Sequence, residues 1–164
     1  MEQQDPESYF KSQITSHGNL ISKVCRMYAY TSADREDLYQ EIILQAWKAF
    51  PRFRGDAQFS TWLYRIGINT AITGLQKKSR RIQTSPIEHT DDVHTSESLT
   101  AENDQWHELQ LAIEQLNDVE KALVMLYLED LSYDEMENIL GISEATLRVK
   151  MNRIKQKLKK ITKA

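Results

Sequence analysis

Cysteine, proline and glycine are all scarce in this chain of 164 residues, which holds one, three and five of them respectively. The lone Cys25 excludes a disulfide framework and a cysteine-based zinc site, and is read as a small buried apolar residue. So little proline and glycine disfavours tight-turned sheets and favours helices. No apolar run approaches the roughly 20 residues that span a bilayer. Met1-Glu2-Gln3-Gln4-Asp5 has neither the basic region nor the apolar core of a secretory signal, so the protein is expected in the cytoplasm without direct membrane insertion. No nucleophile set, metal-ligand set or phosphate-cradling glycine loop stands out, and neither enzyme chemistry nor a cofactor is expected. His89, Asp91, Asp92 and His94 come nearest to a metal set. They sit in a stretch with no rigid element to fix them, so no metal is assigned.

Excess charge is small too, a net −3, but its distribution is uneven. Residues 1–81 hold twelve basic and eight acidic residues, and 82–147 hold sixteen acidic residues with Lys121 alone basic. Residues 148–164 carry eight basic residues and no acidic one. Blocks of this kind mean that different parts face differently charged partners, so the overall balance does not argue against nucleic-acid binding.

Apolar spacing predicts helices through most of the chain. Residues 9–30 read as two packed helices broken near His17-Gly18-Asn19. A strong helix follows from Asp34 to Phe50, with Leu38, Tyr39, Ile42, Ile43, Ala46, Trp47 and Phe50 on one broad face and Pro51 ending it. Its other face gathers Asp37, Gln40, Glu41, Leu44 and Lys48. Leu44 there is either the centre of a docking surface or one apolar residue on a solvated face. Next, Ser60 or Thr61 can cap a helix through Trp62, Leu63, Ile66, Ala71 and Leu75. Ahead of it, Phe53, Arg54 and Phe59 interleave rings with cations, as in single-strand binders, although such rings more often fill a core. Lys77, Lys78, Arg80 and Arg81 suit duplex phosphates.

Residues 82–104 have six acidic residues, none basic and little periodicity, and read as a flexible acidic linker. As a coil its ends would lie roughly 25 Å apart, and about 75 Å if stretched. Order resumes with Trp106, Leu109, Ala112, Ile113 and Leu116 on one stripe. Asn117 with Glu120 caps a helix carrying Leu123, Val124, Leu126, Tyr127 and Leu128.

The final stretch reads as a helix-turn-helix. Ser132 and Glu135 form a capping box, with Leu131 and Met136 placed as a hydrophobic staple. Gly141 stops that helix and Ser143 caps the next, whose Leu147, Met151, Ile154, Leu158 and Ile161 share one stripe. In a recognition helix the early outward residues meet base edges, which points to Arg148, Val149, Asn152 and Arg153, while later lysines meet phosphate. The plain alternative is an amphipathic helix with a solvated lysine face, which does not explain two caps and a turn at this spacing. The expected fold is all-α: two small helical domains joined by a flexible acidic linker, the second a four-helix unit over 105–162.

Three stretches, DREDLYQEIILQAWKAF, FRGDAQFSTWLYRIGINTA with its basic tail, and LSYDEMENILGISEATLRVKMNRIKQKL, occur in this order around the linker. Together they resemble the extracytoplasmic-function (ECF) sigma factors of the sigma-70 family of bacterial RNA polymerase. The resemblance implies an alternative factor that binds core RNA polymerase and promoter DNA and performs no bond chemistry. It implies sigma domain 2 over 1–81, the linker over 82–104 and sigma domain 4 over 105–164. Asp37, Gln40, Glu41 and Leu44 would dock on the polymerase. Phe53, Arg54, Phe59, Trp62 and Asn69, with Lys77, Lys78, Arg80 and Arg81, would handle the minus-10 element and strand opening. Ser143, Thr146, Arg148, Val149, Lys150, Asn152, Arg153 and Lys155 would face the minus-35 element. An anti-sigma regulator is a further partner of the family. The chain departs from the family at Glu137, where a small residue is usual, at Asp130 in place of glycine, and at Val149 in place of serine. A stand-alone DNA-binding regulator, or a helical adaptor without DNA, would leave the first domain and linker or the paired basic clusters unexplained.

Overall fold

The computed structural model describes residues 5–84 and 101–162, and the chain divides into two compact units, Met1–Asp91 and Asp92–Ala164. Every element among the described residues is helical. In the first unit α1 spans Pro6–Ser16, α2 Gly18–Tyr28, α3 Ser32–Ala49 and α4 Phe59–Thr84, with a 3-10 turn at Phe50–Arg52. A single residue, His17, separates α1 from α2. Its backbone N–H closes α1 onto Gln13 and Ile14, and its Nδ1 lies 2.7 Å from the Gln13 carbonyl.

Thr31 starts α3 by accepting the Asp34 N–H at 3.1 Å. The core of this unit is built by α2, α3 and α4, with Ile21, Val24, Ile42, Ala46 and Leu63 all at 0% exposure. Cys25 joins it at 2%, as expected of a small apolar residue. Burial holds its thiol pKa up at about 11, with the nearby Arg35 charge opposing the shift.

Three details differ from the periodicity. Helix α3 gives way at Phe50 to a 3-10 turn closed by the Phe53 N–H on the Phe50 carbonyl at 2.9 Å, because Pro51 has no N–H with which to continue an α-helix. Trp47 is 42% exposed, whereas Ile42 and Ala46 on the same face are buried and the others half-buried. Helix α4 begins at Phe59, ahead of Ser60 and Thr61, with Trp62 N–H bonded to the Gln58 carbonyl at 3.1 Å. Neither hydroxyl residue therefore occupies the cap position.

In the second unit α5 spans Ala101–Glu114, α6 Asp118–Leu128, α7 Tyr133–Leu140 and α8 Glu144–Thr162. Residues 82–84 and 101–104, read as linker, are thus helical. The reason is local: neither glycine nor proline interrupts 75–84 or 101–104, so helix propensity carries the backbone on. The rest of the linker lies outside the described residues.

Both predicted capping boxes form. Asn117 accepts the Glu120 N–H at 2.8 Å while Glu120 accepts the Asn117 N–H at 3.0 Å. Ser132 and Glu135 do the same at 3.2 and 2.8 Å. Helix α6 ends in a Schellman arrangement, with Asp130 N–H on Tyr127 and Leu131 N–H on Leu126. Asp130 takes φ 58° there, the left-handed conformation for which glycine is usual and which aspartate tolerates. Gly141, at φ 70°, ends α7.

Leu123, Leu126, Met136, Leu147 and Ile154 form the buried centre of this unit, each at 0 or 1% exposure. Leu158 and Ile161 are only half-buried toward the end of the α8 stripe. Tyr127 and Leu128, predicted on the packed face of α6, are 41% and 55% exposed. With Leu109, Ile113 and Leu158 they line a shallow apolar groove of about 130 Å³ between α5, α6 and α8.

Candidate functional site

Three surfaces carry the residues singled out in the sequence. On α3, Asp37, Gln40, Glu41, Leu44 and Lys48 all face solvent. Leu44 is 45% exposed, and Gln45 donates to Glu41 Oε1 at 2.8 Å, which steadies that carboxylate. The half-open Trp47 lies one turn beyond Leu44, so the apolar part of this surface is wider than the sequence implied.

The second surface is an aromatic cluster after the 3-10 turn. Phe53 lies 5.0 Å from Trp62, 5.7 Å from Phe59 and 6.2 Å from Phe50, measured between ring centroids. Phe59 is 8% exposed, with His17 5.2 Å away. It is therefore the buried floor beneath Phe53 and Trp62 rather than an open platform, since its ring is enclosed by contacts that the sequence did not reveal. Arg54 is exposed, and Gly55 at φ 77° supplies the left-handed residue of the loop.

Trp62, Asn69 and the backbone of position 80 follow one another along a single face of α4, because seven and eighteen residues are nearly whole numbers of turns. Asn69 and Lys77 are exposed. The side chains of Lys78, Arg80 and Arg81 lie outside the described residues. Arg65 is exposed between Trp62 and Asn69 and went unnoticed in the sequence. Its signal was the i, i+3, i+7 spacing of Trp62, Arg65 and Asn69.

The third surface is the outward side of α8. Leu147, Met151 and Ile154 fill the inward side, which leaves Thr146, Val149, Lys150, Asn152 and Arg153 exposed. Val149 is 52% exposed, a branched apolar side chain in open solvent between polar neighbours. Ser143 caps the helix: its Oγ accepts the Thr146 N–H at 3.4 Å and donates to Thr146 Oγ1 at 2.8 Å, so both hydroxyls help to define the turn.

The cations do not form one uniform row. Arg148 reaches Glu144 at 2.7 Å and lies over Tyr133, Lys155 sits 4.6 Å above the Tyr127 ring, and Lys157 is 3.5 Å from Glu120. Lys155, grouped with the DNA-facing residues in the sequence, is thus drawn toward α6 on the flank. Tyr133 and Glu144 are participants that sequence reasoning missed: contact between α7 and α8 cannot be read from either helix alone, whereas the i, i+4 spacing of Glu144 and Arg148 was an available signal.

Among the described residues no three metal-binding side chains cluster, and no helix is long and apolar enough to cross a membrane. His89, Asp91, Asp92 and His94 lie outside the described residues.

Residues 13–81 match the family model for sigma-70 region 2, and residues 106–158 match the one for sigma-70 region 4. The chain belongs to the sigma-70 family. The RNA polymerase sigma-H factor of Pseudomonas aeruginosa is 28% identical over 81% of this chain and 75% of its own length. The ECF RNA polymerase sigma-E factor of Escherichia coli K12 is 26% identical over 94% of this chain and 86% of its own. The sigma factor RpoE of Bartonella quintana, solved with the anti-sigma factor NepR, aligns with TM-score 0.76 over 94% of this chain and 97% of that one. CnrH, solved with the cytosolic domain of CnrY, aligns with TM-score 0.65 over 93% of this chain and 86% of that one. At 18% and 20% identity these two likenesses are of fold. The protein is an ECF-type alternative sigma factor, a non-enzymatic component of promoter recognition and transcription initiation.

Proposed function

We propose that the two units divide the work of initiation, with sigma domain 2 in 1–81, a connecting segment within 82–104 and sigma domain 4 in 105–164. Asp37, Gln40, Glu41 and Leu44 bind core polymerase, the exposed Leu44 supplying the apolar centre and the polar residues its rim. Phe53, with Trp62 and Asn69, receives a base drawn from the minus-10 element. Extruding a base costs a few kcal/mol, and stacking on a ring can return much of that. Phe59 supports these rings from below. Arg54, Lys77, Lys78, Arg80 and Arg81 follow the phosphates.

Helix α8 reads the minus-35 element. Arg148, Val149, Asn152 and Arg153 meet base edges, Ser143 and Thr146 set the turn at the groove, and Lys150 and Lys155 border the backbone. The observation that carries this reading is Val149, open to solvent beside Asn152 and Arg153 just after a capped turn. A methyl-bearing side chain flanked by an amide and a guanidinium, presented together at the start of a capped helix, matches the methyl, acceptor and donor groups that a major groove offers. The protein works in the cytoplasm and is held inactive by an anti-sigma partner. That reading is supported by the sigma factor RpoE, which shares this fold and was solved with the anti-sigma factor NepR.

Transcription from a library of promoter fragments, using purified core polymerase with and without this protein, tests the division of roles. Protein-dependent transcripts sharing a two-part sequence are expected. Duplex binding without transcripts would favour a stand-alone regulator and overturn the polymerase-docking role.

A further inference from the structure

Arg148 leaves the outward side of α8 with two contacts already made. Its Nη2 donates to Glu144 Oε1 at 2.7 Å, one turn back on the same helix. Its Cζ also lies 4.5 Å from the centroid of the Tyr133 ring. Tyr133 belongs to the other helix of the turn, and it is well fixed. It is the first residue of α7, directly after the Ser132 cap, and is half-buried.

The two contacts constrain different things. A guanidinium lying over an aromatic face gives up motion perpendicular to its plane and keeps its edge N–H groups for in-plane partners. Guanine offers such partners in the major groove, where O6 and N7 lie in the base plane. A phosphate makes no such demand and attracts the charge from any direction. The carboxylate of Glu144, beside Arg148 at the start of the recognition helix, repels phosphate and competes with it for Nη2. The Arg148 and Glu144 side chains are 60% and 43% exposed, so their pairing is weak and biases Arg148 without locking it.

We propose that Tyr133 and Glu144 are positioning residues for promoter specificity: Tyr133 holds the Arg148 guanidinium for in-plane contact with a guanine of the minus-35 element, and Glu144 keeps it from serving as a general phosphate ligand. This rests on the reading that Arg148 meets a base edge. Discrimination at one base pair then depends on a ring in the neighbouring helix, and the low affinity of this position for non-promoter DNA depends on an acid in the recognition helix itself.

The test uses the full-length chain assembled with core polymerase and binds it to every single-base variant of the minus-35 element and to a non-promoter duplex, over a range of salt. Arg148→Ala is expected to abolish the preference for one G·C pair. Tyr133→Leu should reduce that preference by about 5-fold or more while changing non-promoter binding by less than about 2-fold, and Tyr133→Phe, which keeps the ring, should retain it. Glu144→Gln should raise non-promoter binding about 2- to 3-fold and steepen the slope of log affinity against log salt by about 0.9, the value for one added phosphate contact.

If Arg148→Ala keeps the full base preference, the base-edge reading fails and the proposal fails with it. If Arg148→Ala loses the preference but Tyr133→Leu keeps it, or Glu144→Gln leaves the salt slope unchanged, positioning alone is overturned. Should Tyr133→Leu impair folding, as a melt would reveal, Glu144→Gln at the half-open Glu144 still decides the matter.

Discussion

Replacing Leu44 tests the docking surface quantitatively. Its side chain is 45% exposed, so docking removes about half of its surface from water. Burying a leucine completely contributes roughly 1.5–3 kcal/mol, so the half that remains is worth about 1 kcal/mol. Leu44→Ala should therefore weaken binding to core polymerase about 5-fold. Leu44→Asp should do so by about two orders of magnitude, because it also places an unpaired charge in the contact. Neither change touches the core, so thermal stability should move by less than about 0.5 kcal/mol. Ile42, two residues away at 0% exposure, is the contrasting control. Ile42→Ala should cost about 2–5 kcal/mol of stability through the cavity it leaves. Equilibrium titration of labelled protein with core polymerase, paired with melts, separates the two effects. Unchanged affinity for Leu44→Asp in a folded protein would refute the assignment of this helix face to the polymerase.

Other consequences are equally direct. Asp130→Gly should stabilise the second unit by up to about 1 kcal/mol, since glycine adopts the φ of 58° found there without steric cost, and a denaturant melt measures it. Ser132→Ala removes one arm of the α7 capping box and should cost about 1 kcal/mol in the same assay. Phe53→Ala should leave minus-35 binding by the holoenzyme intact and lower permanganate reactivity of the minus-10 thymines, which reports strand opening; undiminished opening would remove Phe53 from that role. Cys25 has a folded-state pKa of about 11 against an ordinary value of 9.0, so its protonated form is favoured by folding. Its contribution is complete below about pH 9 and is lost as pH rises to about 11, so melts over that range should fall more steeply for the wild type than for Cys25→Ala.

Much of the chain was legible residue by residue where the governing forces are local. The capping boxes at Asn117 and Ser132, the stop at Gly141 and the left-handed Asp130 all depend on hydrogen bonds or dihedrals within four or five positions. The break at His17 and the inward stripe of α8 through Leu147, Met151 and Ile154 follow from helical period in the same way. Family membership was legible too, because three motifs in a fixed order carry it.

What the tertiary structure decided is which side chains those helices leave in the open and which they pair. Phe59 and Trp47 are both aromatic residues on apolar helix faces, yet Phe59 is enclosed by His17, Phe53 and Trp62 while Trp47, packed on Phe10 and Phe50, stays half-open. Tyr127 and Leu128 obey the periodicity of α6 and still stay partly open, since α5 and α8 leave a shallow groove beside them. The meeting of Arg148 with Tyr133 requires two helices to cross at one angle. Sequence fixes periodicity along a helix; which neighbour lies opposite each face depends on packing between segments, and a single strip of sequence does not contain it.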